Sequence, residues 1–542
     1  MLYTSTRGNS PAVPFSAAVL AGLAPDGGLY VPERMPTFPA DWRARWSSLS
    51  YASLAAELFA LYVDPADIPH ADLAELADRA FGATRSHFRS ADVAPLRELR
   101  NTTTGESVCH ILELFHGPTL AFKDVALQFL GHLFEYLLAR QSSDEKRDVT
   151  VVGATSGDTG SAAIAGLRGR AGIRVCILHP HGKVSPVQAA QMTSVLDANV
   201  CNVAIDGTFD DCQAAVKAMF NDPAMRDEFR LAAVNSINFA RILAQISYYV
   251  YSYLRLEARY GREYVVDRVV YSVPSGNFGD VLAGYYARTM GLPIHKLIVA
   301  TNTNDILHRF LATGIYSPDP AWKPASAKAA ASGNSSKGID ATPTHAPAMD
   351  ITVSSNFERA LLLWLDNDAA ALAQCMSALA AHGGFQVSPA VVDRARSGGL
   401  WSGRVSDTQI IDTIAQYAAD TGYILDPHTA VGVHAADNLR DQMPGPQPLV
   451  VCLSTAHPGK FTDAVCAGLR LADATNASQS DAALLARFVP PQIRALDGKP
   501  RRLVRIGRPD KAAVAGILRK PWPIGNVQWP AATASGAGAA KL

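Results

Sequence analysis

In the stretch Glu113-Leu-Phe-His-Gly-Pro-Thr-Leu-Ala-Phe-Lys-Asp124, a single lysine, Lys123, follows a Gly-Pro turn and directly precedes a long apolar run with helical spacing. An amine held there by rigid backbone is a candidate for a Schiff base. Such a lysine would carry pyridoxal phosphate and later move protons on the substrate. A lone lysine at a helix start is ordinarily just solvated, so the chemical reading depends on other segments that suit the same cofactor.

Four further segments do. Tyr271-Ser-Val-Pro-Ser-Gly-Asn-Phe-Gly-Asp280 runs from an apolar strand through a glycine-rich turn into an apolar helix. Glycine backbone approaches a ligand closely, and free amides at a helix start attract phosphate. The turn lacks Gly-Lys-Ser/Thr and Gly-x-Gly-x-x-Gly, so neither a Walker loop nor a dinucleotide site is supported. Gly153-Ala-Thr-Ser-Gly-Asp-Thr-Gly160 repeats the strand–turn–helix pattern, and its hydroxyls and amides suit a carboxylate or phosphate; Asp158 reads there as a helix cap or orienting group. Asn235-Ser-Ile-Asn-Phe-Ala-Arg241 offers two neutral donors and a guanidinium fork for an anion. In Val451-Cys-Leu-Ser-Thr-Ala-His-Pro-Gly-Lys-Phe461 a strand ends at Ser454-Thr455. A hydroxyl facing a pyridine nitrogen leaves that nitrogen largely unprotonated. His457 reads equally as a structural residue and as a catalytic one.

These loops need a scaffold. Residues 1–88 mix turns with amphipathic periodicity, at Tyr51 to Ala60 and Ala71 to Phe81, and read as a mainly helical domain. From Val108 onward, strands (109–115, 148–154, 174–179, 269–273, 294–300) alternate with helices (125–138, 161–168, 281–287). That pattern predicts right-handed crossovers and mainly parallel sheets, an α/β protein. The expected division is a large unit of 89–146 with 256–470, a smaller α/β unit of 147–255, and a C-terminal segment 471–542 with a disordered tail. Residues 318–347, rich in Ala, Ser, Lys, Gly and Pro, are expected to be a flexible insertion.

Composition narrows the function classes. The 49 basic and 49 acidic side chains of the 542-residue chain cancel. No dense Lys/Arg run suggests a nucleic-acid partner. Seven cysteines, none at Cys-x-x-Cys spacing, argue against a zinc ribbon or disulfide framework, and no metal is expected. The first residues lack the build of a secretory signal, and the apolar stretch 15–24 is too short to span a bilayer. A cytoplasmic protein without membrane or nucleic-acid partners is expected. The final Ala540-Lys541-Leu542 offers an alternative, peroxisome-like address.

In this order the five segments resemble threonine synthase of the fold type II pyridoxal-phosphate enzymes, in the long form of fungi and many bacteria. The likeness extends from Tyr3-Thr-Ser-Thr-Arg-Gly8 to Ser454-Thr-Ala-His-Pro458. It implies a tryptophan-synthase-beta-like fold with large and small parallel-sheet domains beside the helical N-terminal domain. It implies Lys123 as the Schiff-base lysine, Ser275, Gly276, Asn277, Phe278 and Gly279 as the cofactor-phosphate cradle, and Thr455 at the pyridine nitrogen. Thr155, Ser156 and Thr159 would hold the substrate's anionic ends, and Asn235, Ser236 and Arg241 its phosphate. The implied substrate is O-phospho-L-homoserine, converted with water to L-threonine and phosphate by a monomer or homodimer. Two departures from the pattern are the long insertion before Met349 and Gly459 in place of the usual alanine before Lys460. Two other readings are kept: a related phospho-lyase that releases a keto acid, and a non-catalytic binding module on the same fold.

Overall fold

The structure is a computed structural model that describes residues 1–141, 148–324, 340–443, 445–473, 480–507 and 510–525, with backbone alone at 527–528. The N-terminal part carries strands β1 (Leu2–Ser5), β2 (Val13–Pro14) and β3 (Tyr30–Pro32), paired antiparallel in the order β2-β1-β3. Helices Tyr51–Ala60 and His70–Phe81 follow. Ser50 caps the first by accepting from the Ser53 N–H. Its buried face (Tyr51, Leu54, Leu58, Phe59) packs on the helices His70–Phe81 and Phe239–Tyr260, and the Phe59 ring lies 4.3 Å from that of Phe129 in the helix Lys123–Ala139.

The chain then lays down β4 (Leu96–Arg100), β5 (Ser107–Glu113), β6 (Val149–Ala154), β7 (Ile173–Pro180), β8 (Val200–Ile205), β9 (Leu231–Ala232), β10 (Val269–Pro274) and β11 (Lys296–Thr301). After them come β12 (Ile315–Tyr316), β13 (Phe385–Gln386), β14 (Leu400–Arg404), β15 (Leu449–Ser454), β16 (Arg501–Arg502) and β17 (Val504–Ile506). Two sheets dominate. The larger, β14-β11-β10-β15-β5-β4, is parallel apart from β4. The smaller, β17-β8-β7-β6-β9, is parallel throughout. Strands β8, β10 and β15 are buried along their whole length, which is why apolar residues predominate on both faces instead of alternating with polar ones. The smaller sheet takes its edge strand β17 from residues 504–506, far beyond 147–255 in sequence; a three-residue strand with a central arginine carries no legible strand pattern.

Two helices start earlier than apolar spacing indicates. Lys123 and Asp158 are each the first residue of their helix rather than lying before it. These two helices, Lys123–Ala139 and Asp158–Leu167, cross with almost no separation. A Cβ on Gly131 would lie 2.1 Å from the Gly166 carbonyl oxygen, and one on Gly166 would lie 2.4 Å from the Leu127 carbonyl oxygen. Only glycine permits that approach. The crossing ties the helix after β5 in the larger sheet to the helix after β6 in the smaller one.

The core of the expected insertion, 325–339, and the tail from 529, including Ala540-Lys541-Leu542, lie outside the described residues. Residues 340–347 are held rather than loose. The Thr342 N–H donates to Asn304 Oδ1 at 2.8 Å, Thr344 donates through backbone and hydroxyl to Asp350, and Ala346 is fully buried.

Candidate active site

The chemistry-bearing loops all leave the carboxyl ends of parallel strands: Lys123 follows β5, residues 155–159 follow β6, 275–279 follow β10, and Thr455 follows β15. Ligands of open α/β sheets collect at such ends. Here they border a cavity of about 620 Å³ lined by Lys123, Thr159, Asn235, Ser236, Arg241, all of Ser275 to Gly279, and Thr455. Thr155 and Ser156 are not in its wall. The Thr155 oxygen accepts the N–H groups of Gly157 and Gly160, both at 2.9 Å, so it shapes the loop from inside; Ser156 is exposed.

The lysine loop is fastened to the Thr455 loop by backbone: Phe122 N–H to Thr455 O at 2.8 Å, His457 N–H to Leu120 O at 3.0 Å, and Leu114 N–H to Ser454 O at 3.0 Å. Leu120 sits at φ +64, a strained setting for a non-glycine residue that such fastening sustains. The Lys123 side chain is 11% exposed, with its Nζ 3.6 Å from Asp158 Oδ2. Burial first, then the Lys460 and Arg241 cations, push its amine below the ordinary lysine range; Asp158 opposes them. The sequence offered Asp158 as a helix cap or an orienting group, and its contacts fit the second. The cap position belongs to Gly157 and no cap bond forms. The Asp158 carboxylate takes Lys460 Nζ at 2.6 Å and Gln188 Nε2 at 2.9 Å on Oδ1. Burial would raise that carboxyl, but the Lys460 and Lys123 ammoniums hold it far below the usual range. Lys460 itself is fully enclosed and donates to Thr119 O at 2.9 Å. Sequence reasoning passed over it, although the run Thr455-Ala-His-Pro-Gly-Lys460 places it five residues beyond a site residue. His457 is outside the cavity wall: its Nδ1 accepts the Gly459 N–H at 3.1 Å, and burial lowers its pKa to about 4.

The 275–279 turn leaves its amides open to the cavity. Its carbonyls are engaged on the far side, Gly276 O by Ser354 Oγ at 2.8 Å and Asn277 O by Asn356 Nδ2 at 3.1 Å. Phe278 sits at φ +60, which turns the chain into helix Gly279–Thr289. Among the described residues, none of the N–H groups of Gly276, Asn277, Phe278 and Gly279 donates to a protein acceptor. A Cβ on Gly276 would stand 3.2 Å from the Ala348 oxygen, so the turn lies tight against 348–349. Unpaired amides at the start of an 11-residue helix, with their carbonyls tied back, fit a phosphate. Behind them, Asp280 accepts Tyr248 and Tyr249 hydroxyls at 2.6 and 2.8 Å, and burial raises its carboxyl to about 6.

Arg241 is buried, yet among the described residues its one protein acceptor is Val234 O, at 3.1 Å from Nη1, and its Nε has none. Burial lowers its pKa to about 10. Ser236 Oγ lies 2.8 Å from Ser355 Oγ, which donates to Asn277 Oδ1 at 3.1 Å, so one polar chain joins the Arg241 side of the cavity to the turn. Ser355 is a second residue that sequence spacing did not single out.

Comparison with known proteins agrees with this architecture. The family model for the threonine synthase N terminus matches residues 2–81, that for pyridoxal-phosphate dependent enzymes 89–361, and that for the threonine synthase C-terminal region 429–517. Threonine synthase of Schizosaccharomyces pombe is 44% identical over 522 residues, 94% of this chain and 96% of that one. The crystal structure of threonine synthase from yeast superposes with a TM-score of 0.83 at 41% identity, covering 96% of this chain and 98% of that one. The pyridoxal-phosphate-bound threonine synthase of Brucella melitensis gives 0.79 at 39% identity, covering 96% and 99%.

Proposed function

The chain belongs to the threonine synthase family, pyridoxal-phosphate-dependent enzymes that convert O-phospho-L-homoserine and water to L-threonine and phosphate, and from that premise we propose which side chains act. Lys123 is the amine that would hold the cofactor, and its free amine would be the base that takes and returns the substrate's proton. Its support is the observation that carries the whole reading: a nearly buried amine, pushed below its ordinary range, opening on a cavity walled by unpaired amides. A base poised nearer neutrality transfers protons in both directions. The amides of Gly276, Asn277, Phe278 and Gly279, with Ser275, would hold the cofactor phosphate, and the Thr455 hydroxyl would serve its ring nitrogen. When bound, the cofactor withdraws electrons from the substrate's α carbon and so makes the α proton removable.

Arg241, Asn235, Ser236 and Thr159 grip the substrate's anionic groups. A buried, under-bonded guanidinium strengthens its hold as charge gathers on the departing phosphate. Thr155 shapes the loop that carries Thr159, and Ser156 joins the substrate only if that loop turns inward. The large unit, 89–146 with 256–470, would bear the cofactor, and 147–255, completed by β17, forms the smaller partner. We further infer a cytoplasmic monomer or homodimer acting on a small molecule; among the described residues no helix is long and apolar enough to cross a membrane.

The test supplies purified protein with pyridoxal phosphate and O-phospho-L-homoserine and identifies the products. Threonine with stoichiometric phosphate is expected, whereas 2-oxobutyrate without threonine would replace this reading by a phospho-lyase. Borohydride fixation and peptide mapping should place the adduct on Lys123 and lose it in Lys123→Ala; an adduct on another lysine removes Lys123 from its role.

A further inference from the structure

Lys460, a second ammonium sealed within the same wall, has no task in that chemistry. Its Nζ is 2.6 Å from Asp158 Oδ1, and Lys123 Nζ approaches Oδ2 of that carboxylate at 3.6 Å. One anion thus serves two cations, and the closer contact goes to the lysine that does not open on the cavity: Lys123 is in its lining, Lys460 is not. Gln188 Nε2 and Thr119 O complete the shell around the pair. An unshared carboxylate beside Lys123 would hold it as an ammonium, since opposite charges at this range favour the charged form. We propose that Lys460 is a positioning residue for Lys123: by claiming one oxygen of Asp158 it keeps the carboxylate from locking the Lys123 amine into an ion pair, so that the amine is free to act.

This rests on the assignment of Lys123. The other charged groups around the cluster are Arg241, which acts on Lys123 from the helix Phe239–Tyr260, and Asp124, which faces Lys460 from the lysine helix while bound by Thr119 N–H and Oγ1 at 2.8 and 2.7 Å. Asp124 leaves Lys123 to Asp158, because Thr119 engages both of its oxygens and its charge does not figure among those acting on the Lys123 amine. Lys123 is also the first residue of its helix, where the positive end of the helix dipole disfavours an ammonium. With Lys460 neutralised, Asp158 has one cation left and draws it in.

The experiment is competitive trace acetylation of the full-length, cofactor-free protein with acetic anhydride across pH 6–11, reading the Lys123 peptide by mass spectrometry; only the free amine reacts. Lys460→Met should move the Lys123 midpoint to higher pH, and each further pH unit should lower its labelling near pH 8 about tenfold. Asp158→Asn should move it the opposite way, and Lys460→Arg should stay near the parent. Opposite displacements are what a merely structural pair would not give. An unchanged midpoint in Lys460→Met overturns the proposal, as does movement of both variants in one direction. If Lys460→Met fails to fold, Asp158→Asn decides alone: a midpoint at or above the parent's refutes the shared-carboxylate argument. Failure here is distinct from failure of the assignment, because the borohydride adduct on Lys123 is scored in the parent protein.

Discussion

Replacing Arg241 by alanine should separate activity from stability. The guanidinium is buried and, among the described residues, has Val234 O as its protein acceptor and no partner at Nε, so the folded protein gains little from it while bearing the cost of enclosing a cation. Arg241→Ala should therefore leave the melting temperature unchanged or raise it. Substrate loses one or two charge-assisted hydrogen bonds, each worth about 1.5–3 kcal/mol. A single such bond corresponds to a fall in kcat/KM of roughly tenfold to 150-fold. Arg241→Lys restores charge without the fork and should recover only part of it. The assay is steady-state phosphate release with parallel thermal melts, cofactor absorbance serving as the control for an intact site. Inorganic phosphate should raise the melting temperature of the parent but not of the variant. Unchanged kcat/KM with intact absorbance, or a melt lowered as steeply as activity, would refute the argument that this cation is kept for a ligand.

Other outcomes follow from the same geometry. Gly166→Ala drives a methyl toward the Leu127 carbonyl at 2.4 Å; overpacking of about 1–3 kcal/mol is partly offset by about 1 kcal/mol of helix propensity, so the melt should fall modestly. Lys123 and Asp158 ride on the two helices that must part, so kcat/KM should fall more than stability does, and unaltered kinetics with a lowered melt would deny the crossing its role. Asp280 carries a carboxyl raised to about 6 by burial, so between about pH 4 and 6 the folded protein holds a proton that the unfolded chain has released. Its contribution to stability is greatest below that window, falls as pH rises through it, and is level above. Asp280→Asn removes the slope, and its stability should gain on the parent's by up to about 3 kcal/mol across that window, read from melts at each pH; a pH-independent difference would contradict it.

Much of the scaffold was legible because its strands are buried on both faces: the runs Val149–Ala154 and Val269–Pro274 admit few other readings. The loops that line the cavity were legible for a related reason, since glycine-rich turns after such strands have few purposes. What escaped was pairing across the two sheets. Asp158 opens its helix one residue past the cap, and the close helix crossing at Gly131 and Gly166, which brings the two sheets' helices together, sets it beside Lys123, 35 residues before it, while Lys460, 302 after it, arrives from the loop beyond β15. The departure noted at Gly459 also acquires a cause. A Cβ there would stand 2.7 Å from Pro490 Cδ, so the C-terminal segment packs directly on the backbone beside Lys460.

The strand β17 has a consequence for synthesis. It completes the smaller sheet from residues 504–506, so while the polypeptide is still being made β8 has an open edge with bare amides and carbonyls. The nascent protein therefore exposes a template for stray pairing until translation is nearly over, and any shortened product that ends before residue 504 keeps that hazard for its lifetime.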